Sequence, residues 1–170
     1  INALLKQTTE IYPGYFEAWN TLGEMSSMMQ QDYGQAFYYF GKAAEVKPTY
    51  APAWFNMGYA HQQLGRYQEA IPCYWKAFSL DTTDVKALSN LGACYSKVDK
   101  VDSAIYVNQR IMKIRPKMKL PYMNIISIYM QHKDTASAVP WLEQIDMIHP
   151  GDVRIASVLY RYYRSRDKEK

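Results

Sequence analysis

The sequence is poor in the residues that carry chemistry. It has two cysteines, Cys73 and Cys94, in 170 residues, far apart and in no CxxC or Cys/His pattern. Such spacing offers no metal site, and buried free thiols are expected. A disulfide would need the fold to bring the two together. This cysteine usage fits a reducing compartment, and a cytoplasmic location is the expectation. There are three histidines, His61, His132 and His149, without an HExxH motif or an i, i+4 partner, so nothing calls for zinc. No glycine-rich loop could cradle a phosphate, and no carboxylates pair at a spacing that suggests acid and base. The chain is therefore expected to be no enzyme and to need no cofactor. No run of 18 apolar residues occurs, so no segment is fit to cross a membrane, and no signal peptide is visible. The body of the chain also lacks a charge bias. The whole net excess of +4 falls after Val153, in Arg154, Arg161, Arg164, Arg166, Lys168 and Lys170 against Asp167 and Glu169. Without a basic stripe, nucleic-acid binding has no support.

What is present is a globular composition, with 48% hydrophobic and 21% charged residues, and 16 tyrosines. It is organised by a period. Pro48 and Pro116 are 68 residues apart, twice 34, and Pro116 and Pro150 are 34 apart. Thr82 fills the slot between, and Pro13 precedes Pro48 by 35. Bulky residues recur in step at Trp19, Trp54, Leu88 and Tyr122, followed by Leu22, Met57, Leu91 and Ile125. Small residues come next at Gly23, Gly58 and Gly92, but Ile126 takes the fourth slot. A second run starts at Ala36, Ala70, Ala104 and Ala138 and continues through Phe40, Tyr74, Asn108 and Leu142. Apolar residues at i, i+3, i+4 and i+7 mark amphipathic helices. Two such runs per period, broken by turns such as Leu64-Gly65-Arg66, mark an antiparallel helix pair. One pair cannot bury its apolar stripe alone, so pairs must stack. Gly58, opposite Ala70 and Ala77, is expected to let two helices approach closely.

Trp54-x2-Met57-Gly58 followed by Tyr67, Ala70, Tyr74 and Ala77 resembles the tetratricopeptide repeat signature. The resemblance implies an all-α fold, a right-handed superhelical solenoid of antiparallel helix pairs. It covers nearly all of 1–170 as one domain. Full repeats are expected at 16–50, 51–84, 85–118 and 119–152. Residues 1–15 read as the second helix of a preceding repeat, and 153–170 as a final helix with a basic tail that caps the array. The opening at Ile1, already in a helical pattern, suggests a piece of a longer protein. Three departures stand out. The first repeat has one extra residue, placed near Met28 to Gln31. Ile126 should splay the fourth helix pair. Pro72 and Pro140 are expected in the first turns of second helices, where proline is tolerated.

In the resembled family the first helices line a concave face. By register that face should carry Asn56, Asn90 and Asn124, with Phe55, Tyr59, Lys86 and Met123 beside them. A primary amide can donate and accept, so an asparagine ladder could grip an extended peptide backbone. Thr21 breaks the ladder in the first repeat. Family members that bind chaperone tails use a carboxylate clamp of Lys and Asn. Its slots here hold Asn20, Glu24, Asn56, Lys86 and Asn90; only Asn56 and Lys86 match, and Glu24 would repel a carboxylate. The expected function is a protein–protein interaction scaffold that holds a partner protein or peptide in this groove. The alternatives are a regulatory or substrate-recruiting arm of a larger enzyme, such as a glycosyltransferase, and a self-association module that forms a homo-oligomer.

Overall fold

A computed structural model describes residues 2–167, with side chains from 3 to 164. Ile1 and residues 168–170 lie outside the described residues, so the expected basic tail is seen only in part. Among the described residues there are ten helices and no strand: α1 (Asn2–Ile11), α2 (Phe16–Met29), α3 (Tyr33–Val46), α4 (Ala51–Gln63), α5 (Tyr67–Leu80), α6 (Val85–Lys97), α7 (Val101–Ile114), α8 (Lys119–Gln131), α9 (Thr135–Ile148) and α10 (Val153–Asp167). The fold is an all-α helical repeat solenoid. The chain divides into two compact units, 1–100 and 101–170.

In residues 1–100 the pairs α2/α3 and α4/α5 are the most closely packed. The reason is the small residue on each first helix. A Cβ on Gly58 would come within 2.9 Å of the Tyr74 ring, and one on Gly23 within 2.5 Å of the Phe40 ring. Each glycine thus makes room for an aromatic ring of the second helix, and both rings are almost wholly buried. The nearest neighbour of Gly58 is this ring, where the sequence pointed to Ala70 and Ala77. Between pairs, Ala43, Ala44 and Ala53 form a buried floor under Phe16, Trp19, Tyr50, Trp54 and Met57.

At the shared period of proline and tryptophan the two residues are joined by a hydrogen bond. The Trp19 indole N–H donates to the Pro13 carbonyl at 2.9 Å, and Trp54 repeats the bond to Pro48 at 2.9 Å. Each bond fastens a first helix to the loop that delivers it. Leu88 has no side-chain donor and cannot form it. There the Asp81 carboxylate accepts from the backbone N–H and the hydroxyl of Thr83, at 3.0 and 2.8 Å.

Residues 101–170 hold α7 to α10. Here Tyr122 donates its hydroxyl to the Pro116 carbonyl at 3.3 Å, the counterpart of the indole bond. Ile126 packs in a cluster with Tyr122, Ala138, Leu142, Ile145 and Ile155. The pair α8/α9 is more open than α4/α5. Leu142 occupies the slot that Tyr74 fills, so a smaller second-helix residue accommodates the larger one on the first helix.

The turns inside the pairs share one feature. Gln31, Gly65, Asp99 and Lys133 all have positive φ, at 51°, 72°, 56° and 59°. They follow one another at the 34-residue period. In three turns a backbone bond spans five residues, as from Arg66 N–H to the His61 carbonyl at 2.9 Å. In the first repeat it spans six, from Asp32 N–H to the Ser26 carbonyl at 3.0 Å. The extra residue is absorbed there, and Met28 and Met29 are pushed into solvent, 81% and 76% exposed.

Helix starts are capped by Asp32, Asp84 and Asp134, whose carboxylates accept from the backbone N–H groups of Gln35, Lys86 and Ser137. Such caps satisfy amides without an intrahelical partner. Asp152 does the same for Arg154 and also binds Lys119 Nζ at 2.6 Å and Arg154 at 3.1 Å. Pro72 and Pro140 lie at the sixth positions of α5 and α9, past the first turn where the sequence placed them. Both face solvent. Cys73 and Cys94 are buried free thiols, and burial pushes both up to about 11.

Candidate partner-binding face

The seven residues expected at a partner groove lie on three first helices. Phe55, Asn56 and Tyr59 are on α4, Lys86 and Asn90 on α6, and Met123 and Asn124 on α8. The first five share the unit 1–100, where α2, α4 and α6 are successive neighbours. Residues i, i+3, i+4 and i+7 of a helix share a face. On α2 this face carries Glu17, Asn20, Thr21 and Glu24.

The asparagines are tied into the fold by one N–H each. Asn90 Nδ2 donates to the Tyr74 hydroxyl at 3.3 Å, and Asn124 Nδ2 to Asn108 Oδ1 at 2.9 Å. Each partner lies 16 residues earlier, on the preceding second helix, and is buried. The same slot before Asn56 holds Phe40, which has no acceptor. Asn56 therefore turns to Asn20 Oδ1, at 3.2 Å, and Asn20 Nδ2 passes a bond to Glu24 Oε1 at 2.8 Å. The carbonyl oxygens of Asn56, Asn90 and Asn124 accept no hydrogen bond among the described residues, and they are not sealed from water.

Two of the expected groove residues on α4 are aromatic. Phe55 meets Tyr74 edge-on with ring centroids 5.6 Å apart, and Tyr59 meets Tyr33 at 6.3 Å. Tyr59 is exposed, whereas Phe55 is half-buried. Tyr74 is wholly buried and donates its hydroxyl to Gln62 Oε1 at 2.7 Å. Burial raises its pKa far above the usual phenol range, so it stays a neutral donor. The Asn90–Tyr74–Gln62 chain was not recognised in the sequence. Its signal was the repeated spacing of 16 that joins Tyr74 to Asn90 and Asn108 to Asn124.

Lys86 is exposed and forms no ion pair among the described residues. In the unit 101–170, Met123 packs partly against the cluster of Tyr122, Ile126 and Leu142. His61, on α4, packs against Phe37 with ring centroids 4.3 Å apart and planes inclined by 52°, and its Nδ1 is buried without a hydrogen-bond partner among the described residues. Burial lowers its pKa, so the neutral ring is favoured. Among the described residues no three His, Cys, Asp or Glu side chains gather as a metal would require, and no helix is long and apolar enough to cross a membrane.

Residues 51–84 match the family model described as tetratricopeptide repeat. Anaphase-promoting complex subunit 3 of Schizosaccharomyces pombe is 26% identical over 144 residues, which is 85% of this chain and 22% of that protein. The chain thus spans about a fifth of that relative. The crystal structure of MamA superposes with a TM-score of 0.77 at 22% identity, covering 86% of this chain and 85% of that one. The structure of YrrB, described as a TPR protein with an unusual peptide-binding site, gives 0.76 at 18% identity over 95% of this chain and 81% of that one. Fold and relatives point to a protein–protein interaction scaffold with protein or peptide partners. Periodic sequence, glycine-fitted helix pairs and these likenesses agree: residues 51–84 match the tetratricopeptide repeat, and the chain is similar to tetratricopeptide repeat proteins in its fold.

Proposed function

We propose that the chain acts without catalysis and holds an extended peptide segment of a partner protein against the face of its first helices. The observation that carries this reading is the state of the three asparagine amides. Each is oriented by one internal hydrogen bond and keeps a carbonyl free to accept from a peptide N–H. Within residues 1–100, Asn56 and Asn90 offer two such bonds at ~1 kcal/mol each, about 2 kcal/mol. Millimolar affinity already needs about 4 kcal/mol, so Tyr59, Lys86 and the edge of Phe55 must contribute apolar and charged contacts. Aromatic side chains suit that role at interfaces. The description of YrrB as peptide-binding and the place of the fission-yeast relative in a multi-subunit complex support the same reading.

Phage-displayed peptides selected on the 170-residue chain test it. Asn56→Ala, Tyr59→Ala and Lys86→Ala should each weaken a selected peptide about fivefold, and Asn56→Ala should also cost about 1 kcal/mol of stability through its lost bond to Asn20. Asn56 is the member of the ladder to change, because its internal partner is Asn20 of the neighbouring first helix and not a second-helix side chain. A selected peptide whose affinity ignores all three changes would move the site elsewhere.

A further inference from the structure

The helices of residues 1–100 differ in how they carry charge. The second helices are balanced, with Lys42 and Glu45 on α3 and Glu69 and Lys76 on α5. The first helices are not. Helix α2 carries Glu17 and Glu24 and no base, α4 carries no Asp, Glu, Lys or Arg, and α6 carries Lys86 and Lys97 and no acid. All four charged groups are exposed, and none forms an ion pair among the described residues. The face therefore runs from acidic through neutral to basic across three adjacent helices.

Helix dipoles account for half of this pattern. Glu17 in the first turn of α2 and Lys97 in the last turn of α6 are stabilised where they stand. Glu24 lies in the body of α2 and gains nothing from the dipole. Lys86 lies in the first turn of α6, the end that disfavours a cation, beside the capping carboxylate of Asp84, which faces the backbone. Glu24 and Lys86 are thus the charges that the helix dipoles do not explain. Both share a face with the asparagines: Asn20 donates to Glu24, and Lys86 is one turn before Asn90. Tyr59 holds on α4 the register position that Glu24 holds on α2, five residues after Trp54 and Trp19. Its exposed ring can take a cation on its face next to the carboxylate.

We propose that this face selects an extended segment that places a basic side chain over Glu24 and Tyr59 and an acidic side chain over Lys86. Neighbouring helix axes lie about 10 Å apart, so α2 and α6 are separated by about 20 Å. At about 3.3 Å per residue in an extended chain, the two charged residues of the partner are about six positions apart. The charge order fixes the direction in which the segment crosses the helices. The inference rests on the peptide-binding reading above and adds to it the partner's charge pattern.

The test is a selection of random 12-residue peptides on the 170-residue chain, run in parallel on Glu24→Gln and Lys86→Gln. Peptides won on the unaltered chain should pair a Lys or Arg with an Asp or Glu, about six apart and always in one order. The E24Q selection should lose the basic preference and keep the acidic one; K86Q should do the reverse. A synthetic winner should bind each variant two- to fivefold more weakly by fluorescence anisotropy, the range an exposed ion pair supplies. Winners without the charged pair, or preferences that both variants leave unchanged, overturn the charge pattern and leave peptide binding standing. A chain that selects no peptide overturns both.

Discussion

The side-chain amide of Asn90 and the hydroxyl of Tyr74 meet at 3.3 Å, on a ring with no solvent exposure. The same hydroxyl donates to Gln62, so the phenol is satisfied from both sides. Asn90→Ala removes one of the two bonds and should cost about 1 kcal/mol in urea unfolding. In a Tyr74→Phe background the loss should shrink by at least about 0.5 kcal/mol, because contacting residues are coupled. Additive losses would show that the amide acts elsewhere.

Glycine and ring are matched in the same way. Gly58→Ala would drive a methyl to 2.9 Å from the Tyr74 ring, and Gly23→Ala to 2.5 Å from Phe40. Overpacking of this kind costs about 1–3 kcal/mol. Gly23→Ala combined with Phe40→Leu should be milder than Gly23→Ala alone, by analogy with the Ile126 and Leu142 pair. Thermal melts of the three variants decide it.

Left-handed turns offer a stabilising change. Lys133 has φ of 59° and Gly65, at the corresponding position, 72°. A residue with a Cβ is penalised there by about 1–2 kcal/mol. Lys133→Gly should therefore raise the melting temperature, and Gly65→Ala should lower it. Equal melting temperatures would mean that the turns contribute nothing to stability.

His61 should make the fold sensitive to mild acid. Its folded pKa lies below the ordinary 6.5, mainly through burial. The unfolded chain then binds more protons, so the contribution is complete above 6.5 and is lost as pH falls towards the folded value. His61→Phe should flatten the fall in stability between pH 7.5 and 5.5. An unchanged slope in denaturant titrations would assign that fall to other groups.

Much of this was legible from spacing. The helix pairs follow from the recurrence of Trp54, Gly58, Ala70 and Tyr74, because each position has one packing task and so tolerates few residue types. The extra residue near Met28 was legible for the same reason. Other features carry no such signature. Gln31, Asp99 and Lys133 share a backbone conformation but no side-chain chemistry, so of the four only Gly65 shows its positive φ in its residue type. Pro72 and Pro140 look like first-turn prolines until the helix start is known, and each helix begins earlier than composition suggests. The internal bonds of the asparagines depend on what the preceding second helix offers. They appear only when Phe40, Tyr74 and Asn108 are compared as a set.

Three loops deliver first helices within residues 1–100, and they are fastened by different chemistry. Two use an indole and a carbonyl, which do not titrate. The third uses Asp81, whose bonds to Thr83 hold its carboxyl below the usual value of 3.8. A depressed carboxylate contributes above 3.8 and stops contributing as pH falls through its folded value. Acid therefore loosens the entry to α6 while leaving the entries to α2 and α4 fastened, and a uniform period in the sequence conceals an array whose successive joints yield to different solvents.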